Sequence, residues 1–175
     1  MLFFVHPQNS FQPSHIEPLR AIYGGTLSVS DRTILRIFHL FEVHKKLSCA
    51  SLLSTWSGSG DTGSTDALEA VLSLDAGKVF HTCLNFPRRL KFDLNHQYPD
   101  QSEFREEEYD PLFLNLIFSR VVSGNTPSSA LSWVQFFRTN ILCVVIRSLS
   151  SKDVAFREFA VWNLSGLWRL LEVRT

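Results

Sequence analysis

Net charge is the first thing this sequence lacks: 17 Lys and Arg balance 17 Asp and Glu. A chain without a charge excess carries no global argument for a nucleic acid or a membrane surface as its partner. Cysteine is scarce, at three residues, and Cys49, Cys83 and Cys143 all sit inside apolar stretches. An odd number in such places does not make a disulfide framework and points to a reducing compartment. Long apolar runs are missing as well. The longest beyond the N-terminus, residues 141–146, falls far short of the roughly 20 residues a membrane-spanning helix requires. Leu2-Phe3-Phe4-Val5 is apolar, but His6-Pro7 ends it and no basic segment precedes it, so it does not read as a signal peptide. Strand-like alternation is almost absent. These absences together set the expectation of a soluble, intracellular, all-α protein with no membrane partner.

What is present is bulk. Apolar residues make up 45% of the 175 positions, with 15 Phe and four Trp, enough for one domain with a real core. Ile16, Leu19, Ile22 and Tyr23 recur at helical spacing until Gly24-Gly25 stops them. Ser30 is expected to cap the next helix, whose stripe is Ile34, Leu35, Ile37, Phe38 and Phe41. A third helix is expected across residues 50–56. Residues 57–65 read as a flexible Gly/Ser loop. A short helix carries Leu68, Val71 and Leu72. Asp75 caps another that Pro87 terminates. Residues 88–108 are polar, without a clear period, and read as a connection of poor order.

Asp110-Pro111 is a cap followed by proline at the first helical position, where the missing N–H does no harm. Its helix runs through Phe113, Leu114, Ile117, Phe118, Val121 and Val122 to Gly124. Thr126-Pro127 repeats that signal ahead of Leu131, Val134 and Phe137. Residues 140–149 are a short apolar helix. Ser150 and Asp153 have capping-box spacing before a long helix with Phe156, Phe159, Ala160, Leu164, Leu167 and Leu171 on one face. Val161, Trp162 and Trp168 lie off that stripe, so this helix is expected to bury more than one side. A chain that ends on such a helix reads as a fragment, or a truncated reading of its gene, whose last helix lacks its neighbour.

The segment 140–171 pairs a short apolar helix, a Ser-Ser-x-Asp turn and Val-x-x-Arg-x-x-Ala-x-x-x-Leu. This resembles an armadillo/HEAT repeat, and the expected architecture is an α-solenoid fragment spanning residues 1–175 as one helical-repeat region. The alternative is an ordinary helical hairpin.

Sites for chemistry are few. Asp61-Thr62-Gly63-Ser64 has the aspartic-protease tetrad, but that chemistry needs a buried loop after an apolar strand and a second Asp. Here Ser57-Gly58-Ser59-Gly60 precedes it, and it reads as a chance match in a linker. His81 with Cys83, and His44 with Cys49, lack the second ligand cluster that structural zinc wants. Asn163-Leu164-Ser165 is a glycosylation sequon inside a helix and is discounted. Arg88, Arg89 and Lys91, flanked by Phe86 and Phe92, read as a solvated turn, with RNA backbone contact as the alternative. From Asp110 onward, seven basic residues stand against four acidic, a mild positive excess. No catalytic, metal-ligating or cofactor-binding residue is assigned, and no cofactor or small-molecule substrate is expected.

Several stretches together resemble the C-terminal region of the nucleolar pre-ribosomal-associated proteins. They are Tyr23-Gly24-Gly25-Thr26-Leu27-Ser28-x-x-Asp31, Phe41-Glu42, Leu74-Asp75 with Val79 and Thr82, and Phe86-Pro87. Tyr109-Asp110-Pro111-Leu112-Phe113-Leu114 is the most distinctive, followed by Leu149-Ser150-Ser151-x-Asp153 and Arg157. The resemblance implies a helical-repeat scaffold of early large-subunit (pre-60S) ribosome assembly, without catalysis, in the nucleus and nucleolus. It implies other pre-60S assembly factors and precursor ribosomal RNA as partners. The rivals are a generic armadillo-type adaptor for peptides, a direct RNA-binding module, and an aspartic hydrolase dependent on Asp61. Tyr109, Asp110 and Pro111 are expected to serve structure, fixing a helix start.

Overall fold

A computed structural model describes residues 12–57, 65–95 and 107–172. Among the described residues a 3-10 turn, Pro13–His15, comes first. Among the described residues it is followed by nine α-helices and no strand. They are α1 (Ile16–Ile22), α2 (Val29–Lys45), α3 (Cys49–Leu53), α4 (Ala67–Leu72), α5 (Ala76–Leu84), α6 (Pro111–Ser123), α7 (Ala130–Arg138), α8 (Ile141–Ser148) and α9 (Val154–Glu172). The all-α expectation holds.

Helix α6 is the axis of the molecule. It packs against α3, α4, α8 and α9, and α8 in turn meets α5, α7 and α9. That placement explains its composition, because Leu112, Phe113, Leu114, Ile117, Phe118, Val121 and Val122 cover the whole circumference and all are buried. Each such side chain contributes about 1.5–3 kcal/mol by leaving water. Its start follows the sequence: the Asp110 carboxylate accepts a hydrogen bond from Leu112 N (2.8 Å), with Pro111 at the first position. Asp75 and Asp66 cap α5 and α4 in the same way, accepting from Lys78 N and Glu69 N.

Four local expectations are corrected. The cap of α2 is Ser28, not Ser30, and its hydroxyl accepts from Asp31 N. The cap of α7 is Ser129 rather than Thr126, so the Thr-Pro pair precedes the helix by a short extended segment. Its predicted stripe, Leu131, Val134 and Phe137, faces outward; Phe136 is the residue that enters the core, flanked by half-buried Trp133. For α9, Asp153 is the cap, accepting from Phe156 N at 3.0 Å, and Ser151 rather than Ser150 braces it by accepting from Asp153 N.

Candidate interaction surface

Three of the segments that carry the family resemblance, at 23–31, 74–82 and 109–114, converge in space. Gly24 N and Thr26 N donate to the two oxygens of the Asp31 carboxylate (3.0 and 2.8 Å), and the Thr26 hydroxyl donates to it as well (2.5 Å). Asp31 therefore folds the Gly-Gly-Thr loop back onto the start of α2. That loop then zips to the start of α6: Leu27 N donates to Glu108 O, Asp110 N donates to Gly25 O, and Thr26 bridges Tyr109 antiparallel. Gly25 is required here. Its φ is +67°, and a Cβ would sit 2.5 Å from the Phe113 ring.

Beneath this crossing lies an ion pair. Arg32 Nη1 donates to Asp110 Oδ2 at 2.7 Å, with the side chains 9% and 0% exposed. Around it stand Tyr23, Phe38, Trp56, Tyr109 and Phe113, joined mostly edge to face with centroids 5.0–6.3 Å apart. Trp56 Nε1 donates to Tyr23 O, Asp75 N donates to the Tyr109 hydroxyl, and Tyr109 N donates to the Thr82 hydroxyl. Burial drives the Tyr23 phenol well above its ordinary pKa, and the nearby Asp110 and Cys49 push it the same way. This hub locks α2, α5 and α6 together.

A second polar feature was invisible in the sequence. Asn115 on α6 donates to Pro111 O and to the Ser148 hydroxyl on α8, and Asn163 on α9 donates to Asn115 O and Oδ1. All three are fully buried. The sequon asparagine is thus a rung between core helices, out of reach of a modifying enzyme.

The remaining sequence candidates scatter. His81 is exposed beside half-buried Cys83, whereas Cys49 is deeply buried and His44 exposed. Among the described residues no three His, Cys, Asp or Glu side chains gather as metal ligands. Asp61-Thr62-Gly63-Ser64 lies outside the described residues. The basic group at 88–91 folds onto the turn before α9. Arg88 Nε donates to Ser150 O, Lys152 N donates to Arg88 O, Lys91 Nζ lies 3.6 Å from Asp153 Oδ2, and Arg157 donates to Ser151 O. Phe86 and Phe92 meet Phe156 edge to face on the inner side of that turn. Much of this charge fastens a turn, and Arg89 and Lys152 remain exposed.

The outer face of α9 leaves several large apolar side chains exposed. Val154, Val161, Trp162 and Trp168 are 52–64% exposed, opposite the buried Phe156, Ala160, Asn163 and Leu167. An open groove of about 660 Å³ runs along this face, bounded by Leu149, just after α8, at one end and Arg169 at the other. Large exposed apolar patches of this kind mark sites of association. No helix among the described residues is long and apolar enough to cross a membrane.

Over this same chain, similarity to known proteins points one way. The chain is similar to nucleolar pre-ribosomal-associated protein 1. Identity is 25% to the human protein and 24% to the mouse protein, each over 187 aligned positions covering 92% of this chain. The chain spans about 8% of the length of these curated relatives. No family model matches, and no solved structure does.

Proposed function

We propose that this chain is a helical-repeat (armadillo/HEAT-like) scaffold segment of the nucleolar pre-ribosomal-associated family. In this reading it acts without catalysis in early assembly of the large ribosomal subunit, within the nucleolus. The observation that carries the reading is the likeness to the human and mouse proteins across 92% of the chain. The fold supports it, because three of the resembling segments build the hub that fixes three helices, as a scaffold's frame would. The mechanism is binding: exposed helical faces hold other assembly factors in place. A tagged chain, purified from nuclear extract, is expected to enrich large-subunit precursors and nucleolar assembly factors. A coherent set of non-ribosomal partners would move the function to a generic adaptor, and chaperones alone would remove the scaffold reading for this chain.

Direct RNA contact is a second reading, favoured by one feature. Arg88, Arg89 and Lys91 meet Lys152 and Arg157, some 60 residues later in sequence, around a single turn. If that patch contacts phosphates, affinity for RNA falls steeply with salt, and Arg89→Ala with Lys152→Ala flattens the slope. RNA affinity that is absent, or independent of salt, would exclude it.

A further inference from the structure

Helix α9 carries a charge pattern on its unspent face that is its own complement. Glu158 near its start and Arg169 near its end are eleven residues apart, which returns to nearly the same side of a helix with 3.6 residues per turn. Both are exposed and line the outer groove together with Val161, Trp162 and Ser165. Neither makes an ion pair or side-chain hydrogen bond among the described residues.

We propose that this face pairs with a second copy of the same chain, α9 against α9 in antiparallel orientation, about a two-fold axis. A two-fold contact requires that residue i meet j while j meets i. Laying one α9 against another head to tail sets Glu158 of each copy against Arg169 of the other. The same register places Trp162 opposite Ser165, so each indole covers the smallest side chain on the facing stripe and the helices can approach closely. A parallel arrangement instead sets Glu158 near Glu158 and Arg169 near Arg169, which repel. Opposed helix dipoles add to the antiparallel preference. Charge thus selects both the partner and its direction, while Val161 and Trp162 supply the apolar area. This interaction is separate from the ribosomal role, and either can fail without the other.

The test is sedimentation of the purified chain over a concentration series, alongside Glu158→Arg and Arg169→Glu. The wild type is expected to dimerise. Each reversal, placing like charges at both symmetric contacts, is expected to weaken dimerisation on the order of tenfold. The two reversed chains, mixed in equal amounts, are expected to form a heterodimer at least as tight as the wild-type dimer, because every contact in it is again opposite in sign. Trp162→Ser is expected to abolish dimers of either kind. Both charge positions are exposed, and a circular-dichroism melt of each variant should match the wild type. A chain that stays monomeric at every concentration would overturn the proposal and leave the face to a different protein. Single reversals without effect, or no rescue on mixing, would overturn the antiparallel register, as would open-ended aggregates in place of a dimer.

Discussion

Replacing Asp110 by alanine tests the hub most severely. The carboxylate holds two things at once: Leu112 N at the start of α6 and Arg32 of α2. Losing a helix cap costs about 1 kcal/mol. Removing the carboxylate that faces a buried guanidinium costs about 3–5 kcal/mol, and the low end applies because Arg32 keeps 9% exposure through which water can reach it. The sum is about 4 kcal/mol, which for a chain of this size lowers the melting temperature by about 8–16 °C. Asp110→Asn keeps a competent cap and isolates the charge, so about 3 kcal/mol of the loss should remain. Combining Asp110→Asn with Arg32→Met should recover much of that loss, since no charge is then stranded. Thermal melts followed by circular dichroism at the helix band read all three. A melting temperature for Asp110→Ala within about 2 °C of wild type would refute the structural role. It would do so decisively if partner binding vanished at the same time, because Asp110 would then be a contact residue.

Gly25→Ala forces a side chain into the left-handed region and against the Phe113 ring, and should cost about 3 kcal/mol in the same melts. The thiols should separate by reactivity. Burial raises the pKa of Cys49 and, less deeply, of Cys83, while Cys143 is exposed, so a thiol reagent at mild pH should modify Cys143 first and Cys49 only on unfolding. Alkali should unfold the chain through its buried phenols. Tyr23 and Tyr109 have folded pKa values raised above the unfolded value of 10.0, so the folded state holds protons that the unfolded state releases. Their stabilisation is complete below pH 10 and declines as pH rises beyond it, which a pH series of denaturant midpoints would show as a falling limb.

Much of the helix order was legible in the sequence because caps are local. Asp75 and Asp110-Pro111 each announce a helix through a side chain that bonds its own backbone two or three residues on. The errors have the same origin. Ser30 and Thr126-Pro127 are good local signals, but Asp31 turns back to grip Gly24 and Thr26, leaving Ser28 to cap α2. Helix α7 is ambiguous in the sequence because it is apolar on two sides. Leu131, Val134 and Phe137 have as regular a spacing as Trp133 and Phe136, and only contact with α4 and α8 decides which side is inner. The Asn115–Ser148–Asn163 ladder was out of reach, since its bonds join residues 33 and 48 positions apart. For α9 the surplus apolar area was legible from Trp162 and Trp168, whose periodicity sets them on either flank of the outer face, away from the core stripe.

The proposed role in building the large ribosomal subunit is read out by gradient sedimentation of nuclear extract from cells expressing the tagged chain. The chain is expected to travel with large-subunit precursor particles and to leave those fractions when Asp110→Ala destabilises the hub. A chain that stays at the top of the gradient, with precursor particles intact further down, would contradict it.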